Sequence, residues 1–313
     1  MAEPIAILLV GSPRDPTVVH TAAALRASGD CFLVLDTDQY CQHGQVSGSL
    51  DDPASLQVHD RSACWNLEHF RSCYARFIDL PTNWGGSIER ARIQALQVAI
   101  SSLHIPVVNR PYAGDSNNSK PYQTYLLKRL GLRVPRSCST NSAQHASAFI
   151  ASCPGGAIYK SNSSHRSIVQ AVEAEDHSRL GFLKECPVFF QERIRGANVR
   201  VHVIDNKCYC VKIRSQEVDY RYDRSAEVVE SVHAIPAELA SMCVDVTRSL
   251  GLVFSGIDFV LSDADGEYYC LEVNPMPGYH GYDLTLNGAI SEGLCAFLGS
   301  RHALPERRDV RAC

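Results

Sequence analysis

Apolar and polar positions along this chain follow two periods, and the changes of period mark out its elements. Ile5 to Val10 is a continuous apolar run that ends at Gly11-Ser12-Pro13, and it reads as a buried strand followed by a turn. Asp15-Pro16 has the composition of a helix cap with a first-turn proline, so a helix is expected through Ala22-Ala23-Ala24-Leu25 to Gly29. Cys31 to Leu35 is a second strand. Strand, helix, strand at the start predicts a small α/β unit with a parallel sheet. Gly11 is a lone glycine with no GxGxxG after it, which argues against a dinucleotide site there.

The next stretch changes character. Gln45-Val46-Ser47 and Leu56-Gln57-Val58 alternate in the manner of a hairpin, and Tyr74 to Ile78 reads as a further strand. Ile88, Ala91, Ala95, Val98 and Ala99 give Ser87 to Leu103 a helical period. Ile105 to Asn109 is a short strand that closes the first block. Beyond it, helices are expected at Ser119 to Leu130 (ended by Gly131), Ser142 to Ala151, Pro236 to Leu250 and Leu284 to Leu298. Extended segments are expected at 135–139, 157–161, 188–191, 199–204, 208–213, 257–261 and 268–273. Asn162 to Ser167 is a polar loop, and the charged tail after Ser300 is expected to be disordered. The expected domains are residues 1–108, 109–188 and 189–299, with a tail from 300 to 313.

Composition narrows the classes. With 313 residues, 45% of them hydrophobic, the chain can bury a large core. A net charge of −4 and the lack of any long run of like charge argue against nucleic-acid and polybasic membrane partners. The 13 cysteines are odd in number and scattered. Cys208 and Cys210 are their one close pair, there is no CxxC, and they read as free thiols in a reducing compartment. The start of the chain lacks the basic leader of a signal peptide, and no run reaches transmembrane length, so a cytoplasmic protein is expected.

Chemistry concentrates between Ser255 and Pro275. Two apolar strands flank Ser262-Asp263-Ala264-Asp265-Gly266, which has turn composition. A hairpin centred there sets Asp258 opposite Leu271 or Glu272, and alternation places Glu272 and Asn274 on one face with Val273 on the other. Asp258, Glu272 and Asn274 then converge as three oxygen donors, a set that suits Mg²⁺. The bland alternative is a solvated polar face. The apolar neighbours Ile257, Phe259, Leu271 and Val273 argue against it, because an acid embedded in apolar sequence usually has a cation partner. Asp263 and Asp265 lack the rest of a calcium-loop pattern and read as turn formers.

Gly256-Ile257-Asp258 with Leu271-Glu272-Val273-Asn274-Pro275 resembles the metal-binding end of the ATP-grasp superfamily. The likeness is greatest to the RimK-type branch, which adds glutamate to a ribosomal protein, and to the graspetide ligases that crosslink ribosomally made peptides. It covers roughly residues 105 to 299. The resemblance implies an α/β (α+β) chain: a Rossmann-like first domain, then two α+β subdomains that grip ATP. Asn118-Ser119-Lys120 resembles the family's entry with its phosphate lysine, and Ala157-Ile158-Tyr159-Lys160 the strand of the second. An isolated lysine is ordinarily a solvated surface group, but Lys160 closes a strand expected to be buried. Ser163, Ser164 and Arg166 fall where the family closes a loop over the phosphates, and Gln191, Glu192, Arg193 and Ile194 where it holds adenine. Arg200, in Asn198-Val199-Arg200-Val201, stands where the family points an arginine at phosphoryl transfer. Two departures stand out: Arg195-Gly196-Ala197 offers no obvious ribose-binding acid, and Asn198 replaces the usual acid before Val199-Arg200.

The implied reaction is amide formation by an ATP-dependent carboxylate–amine ligase through an acyl phosphate, with Arg200 and Lys160 as catalytic cations. The implied cofactors are ATP and one or two magnesium ions, with manganese an acceptable substitute. The substrates would be a carboxylate and an amine or hydroxyl, small or carried on a peptide, in natural-product biosynthesis. A ligase modifying a ribosomal peptide or protein, and a nucleotide-binding regulator without ligase activity, are the alternatives. A homodimer is the assembly considered. Lys212 to Arg221 resembles a substrate-recognition segment of the peptide-crosslinking ligases, with a shorter spacer and Tyr220 in place of tryptophan. Arg214, Asp219 and Arg221 are the acceptor-binding candidates there, against the alternative of a surface salt-bridge ladder. Tyr279 and His280, in the glycine-flanked loop after the hairpin, either line a substrate pocket or simply pack.

Overall fold

The computed structural model describes residues 6–60, 63–77, 87–163, 169–214, 227–232 and 235–300. The chain divides into two compact units. One comprises Met1–Ala113 and Gly278–Cys313, the other Gly114–Pro277.

The first unit begins with β1 (Ile7–Gly11), α1 (Pro16–Ala27), β2 (Phe32–Asp36) and α2 (Thr37–His43). A three-stranded antiparallel sheet follows, β3 (Gln45–Ser49), β4 (Asp52–His59) and β5 (Cys64–Asn66), then β6 (Ser72–Ala75), α3 (Ser87–Ser102) and β7 (Val107–Val108). The parallel sheet has the order β2-β1-β6-β7. Asp15 caps α1 through the Thr17 N–H at 2.8 Å, as the Asp-Pro pair predicted. In the hairpin, Val46 lies opposite Val58, which gives the alternating residues a buried face. Leu8, Val10, Leu35, Leu56, Val58, Leu96 and Ile100 form the core beneath both sheets. Helix α2 carries too few apolar positions to show a period. Asp36 starts it by accepting from the Asp38 and Gln39 N–H groups.

The second unit holds two sheets. The first is built from α4 (Lys120–Arg129), β8 (Ser137–Thr140), α5 (Ala143–Ala151), β9 (Ala157–Lys160), β10 (Gln170–Ala171) and β11 (Val188–Glu192), with strand order β10-β9-β11-β8. The second contains β12 (Gly196–Ile204), β13 (Lys207–Arg214), β14 (Glu227–Val232), α6 (Ala237–Ser249), β15 (Phe254–Ser262) and β16 (Tyr268–Asn274), with strand order β14-β13-β12-β15-β16. The chain crosses from one sheet to the other between Glu192 and Gly196, four residues past the expected division at 188. Two 3-10 segments, Pro111–Asn118 and Ala174–Glu185, fall where the apolar pattern predicted nothing.

The single helix expected from Leu284 to Leu298 is two, α7 (His280–Thr285) and α8 (Ala289–Gly299), both within the first unit. Asn287 and Gly288 take φ of 52° and 86°, left-handed values that a continuing helix does not tolerate. Asp283 then caps α8, accepting from the Ile290 N–H at 2.8 Å and the Ser291 N–H at 3.1 Å. The apolar period runs on through the break, so only the Asn-Gly pair marks it. The tail expected to be disordered lies outside the described residues. Among the described residues, no helix is long and apolar enough to cross a membrane.

Candidate functional site

The second unit's five-stranded sheet carries a small grid of side chains on one face. Antiparallel pairing sets Arg200 of β12 opposite Asp258 of β15, and Asp258 opposite Glu272 of β16. The next row on that face is His202, Gly256 and Asn274. A register shift after Asp258 pairs Phe259 with Cys270, so Leu271 is the extra residue of a bulge and Glu272 takes the place beside Asp258. Val273 is fully buried on the opposite face, as alternation requires.

Within the grid, Arg200 reaches diagonally. Its Nη1 donates to Asp258 Oδ2 at 2.6 Å, and its guanidinium lies over Gly256. A Cβ at position 256 would overlap Arg200 Cζ and Nη2, so the glycine is the space in which the arginine lies. Arg200 Nε also lies 3.4 Å from His202 Nε2. Burial, and then the charge of Arg200, push the His202 imidazole well below its ordinary pKa. A neutral ring accepts from the arginine where a charged one would repel it.

Lys120 and Lys160 approach from two other elements. Lys120 opens α4, where Ser119 is the cap and accepts from the Tyr122 N–H. The Lys120 Nζ stands 3.9 Å from Glu272 Oε2, and its backbone N–H donates to Asn162 O at 2.8 Å. Ser163 pairs with Ser119, which ties the start of the serine-rich loop to the start of α4. Lys160 ends β9 and is buried, as predicted. Its Nζ donates to Gln191 Oε1 at 3.1 Å and lies 5.4 Å from the centre of the Phe189 ring. The wholly buried Cys270 reports on this neighbourhood. Its thiol is pushed well up by burial and then by the Asp258 and Glu272 carboxylates, while Lys160 pulls it down.

At the end of β11, Gln191 is buried, and Glu192 pairs with Arg136 at 2.9 Å. The Glu192 and Arg193 N–H groups donate to Arg136 O and Gly156 O. A base held here would have to use other atoms of Gln191 to Ile194. Ser164, Arg166, Asp219 and Arg221 lie outside the described residues, as does the side chain of Arg214 at the end of β13.

Tyr279 and His280 lie in the first unit. Tyr279 is fully buried, its hydroxyl 2.8 Å from Thr21 Oγ1 and its ring edge-on to His20. It packs in that unit, the second of the two readings, where an apolar ring with a satisfied hydroxyl gains from complete burial. His280 remains exposed, with Nδ1 3.2 Å from Thr17 Oγ1. Gly256 and His202 are neighbours of Arg200 that the sequence did not single out for these places. For His202 a signal existed, since it shares the face of Arg200 two residues on.

The donor set is chemically coherent. Asp258 and Glu272 are partly exposed carboxylates, with side chains 15% and 28% accessible. Asn274 Oδ1 accepts from the Met276 N–H at 2.9 Å and, as a carbonyl oxygen, has a second lone pair. Among the described residues no group of three or more His, Cys, Asp or Glu could hold a metal ion. Two carboxylates and an amide oxygen are too few for an all-protein cage. They fit a hard cation that keeps most of its shell for water and phosphate.

Arg200 and Lys120, on two elements, thus stand beside the Asp258–Glu272 pair. Residues 118–278 match the ATP-grasp domain family, just over half of the chain, and the chain belongs to that family. Its fold is similar to that of the ATP-grasp ligase PsnB, solved with a phosphomimetic variant of a minimal precursor, Mg and ADP. The TM-score is 0.77 at 29% identity, over 95% of this chain and 98% of that one. The macrocyclase MdnC from Microcystis aeruginosa MRC, bound with precursor peptide MdnA, shares the fold with a TM-score of 0.78 at 21% identity, covering 94% and 99%. A probable alpha-L-glutamate ligase of Klebsiella pneumoniae (strain 342) is 25% identical over 191 residues. Those residues are 58% of this chain and 63% of the relative, so the match spans less than two thirds of that protein.

Proposed function

We propose that this protein is an ATP-dependent ligase that activates a carboxylate as an acyl phosphate and joins it to a nucleophile on a peptide substrate. The observation that carries the reading is the row Arg200–Asp258–Glu272, with Lys120 at its edge. The peptide is favoured over a free small molecule because PsnB, at 29% identity over nearly its whole length, was solved with its precursor. The glutamate ligase relative supports the same bond chemistry. We place the protein in the cytoplasm, where ATP is supplied and free thiols persist.

In this mechanism Lys120 and Lys160 neutralise and orient the phosphates from two elements. Asp258, Glu272 and Asn274 would hold magnesium, as one ion or two, which supplies charge compensation on the phosphates when bound. The substrate carboxylate oxygen takes the γ-phosphoryl group and ADP departs. The nucleophile then attacks the acyl carbon and phosphate leaves. Arg200, seated by Asp258 and His202, stabilises the acyl-phosphate oxygens and the oxyanion that forms on attack. Ser163, with Ser164 and Arg166 beyond it, would cover the phosphates, and Gln191 to Ile194 would hold the adenine. Arg214, Asp219 and Arg221 would bind the acceptor. The chain contributes position and charge rather than a covalent intermediate of its own.

The test is ADP release from Mg·ATP by the purified protein across peptides with acidic side chains and a panel of small carboxylates and amines. Product mass is followed in parallel, because each internal bond removes one water. Peptide-dependent ADP release with that mass loss supports the proposal. ATP binding without release by any acceptor would instead identify a nucleotide-binding regulator. Glu272→Ala is expected to remove ADP formation while the far-UV circular dichroism stays that of the wild type. An active Glu272→Ala protein would overturn the metal assignment.

A further inference from the structure

β16 is the last strand of its sheet, so one row of its backbone groups has no neighbouring strand. In a buried setting those groups need partners. Cys270 N–H finds one in Arg133 O at 2.7 Å, just beyond α4. Val273 finds two in a single side chain. Its N–H donates to Gln123 Oε1 at 3.0 Å, and its carbonyl accepts from Gln123 Nε2 at 2.9 Å. Gln123 is 3% exposed and sits one helical turn after Lys120. Val273 is the residue between Glu272 and Asn274.

We propose that Gln123 is the positioning residue of the metal edge. Its carboxamide acts as a one-residue strand that fixes the peptide plane on either side of Val273, and so aims Glu272 and Asn274 along the face they share. The carboxamide suits this because it presents one acceptor and one donor in a plane, the pattern of a neighbouring strand's backbone. The same helix carries Lys120, whose ammonium reaches Glu272. One rigid turn of α4 therefore sets the spacing between a cation for phosphate and the carboxylate beside it. Without the amide, Val273 would retain two buried backbone groups with nothing to bond. β16 would settle by rotating its peptides, and the two donors would turn with them.

This inference rests on the ligase reading, and the experiment separates the two. Gln123→Ala and Gln123→Met are compared with the wild type, the methionine filling the glutamine's volume without its bonds. Manganese binding with ADP present is read by electron paramagnetic resonance, ADP binding in EDTA by calorimetry, and folding by thermal melting. The expected result is manganese affinity about 10- to 100-fold weaker, the range for residues that orient metal ligands. Metal-free ADP affinity should stay within about threefold of wild type, a change of under 1 kcal/mol, in variants that still melt cooperatively. Wild-type manganese affinity in a folded variant would overturn the proposal. Parallel loss of manganese binding, ADP binding and cooperative melting in both variants would also overturn it, since Gln123 would then serve the fold alone. A wild-type protein that binds no manganese with ADP would remove the metal assignment itself, and the positioning role with it.

Discussion

Gly256 shows how much a site can depend on an atom that is missing. Asp258 draws the Arg200 guanidinium across the β15 backbone, and only a residue without a Cβ leaves room there. Gly256→Ala is therefore expected to displace Arg200, because the neighbour that must give way is a buried guanidinium already held by Asp258 and His202. Overpacking of this kind costs about 1–3 kcal/mol. The stability loss should be accompanied by a fall of at least about tenfold in ADP formation, since in the proposed mechanism a displaced charge no longer meets the developing oxyanion. Steady-state ADP release and thermal melting of the same preparation measure both. A folded Gly256→Ala protein with wild-type turnover would show that Arg200 does not need this seat. At this scale the sequence was informative about Asp258, Glu272 and Lys160, because charged residues in apolar strands stand out. It was silent on Gly256 as a seat, because the reason for that glycine lies on a strand more than fifty residues earlier in the chain.

At the scale of the element, the β15–β16 hairpin and the α7–α8 break make a useful contrast. The hairpin was legible, with turn composition, alternation and opposed acids all in one short stretch, and Asp258 does pair with Glu272. The break was not, because α7 and α8 share one apolar period and are separated by only three residues, two of them with left-handed backbone. Asp283 makes the break stable. It is buried, caps the Ile290 and Ser291 N–H groups, and pairs with His20 of α1 at 2.7 Å. Asp283→Ala removes the cap and leaves buried donors unmet, which costs about 1–3 kcal/mol. For a protein of this size that is a fall in Tm of several degrees, on the order of 2–4 °C per kcal/mol. Asp283→Asn keeps an acceptor and should lose less. Equal melting of the alanine variant and the wild type would mean that α8 does not rely on this cap.

For the whole molecule, the cysteines offer the broadest check. All twelve described cysteines are free, and Cys31, Cys64 and Cys186 are the exposed ones. Burial raises the thiols of Cys208 and Cys295 to about 11 and that of Cys210 to about 12. The thiolate is the reactive form, so these are inert near neutral pH. Brief alkylation of the native protein, mapped by peptide mass, should mark Cys31, Cys64 and Cys186 first among the described cysteines. Cys73, Cys210, Cys243 and Cys270 should react only after denaturation, and without prior reduction. Early labelling of Cys270 would contradict the packing of the five-stranded sheet.

The sequence by itself determined the strand and helix alternation, the opposed acids of the β15–β16 hairpin and the burial of Lys160 at a strand end. Each is written in neighbouring residues, as a period, a turn composition or a charge in an apolar run. Only the tertiary structure decided which of these meet. It set Arg200 in the row with Asp258 and Glu272, gave Gln123 to Val273, and buried Tyr279 in the first unit. Such partners are chosen by strand register and helix docking, which satisfy backbone groups and fill space between distant segments, and no local pattern in the chain records that choice.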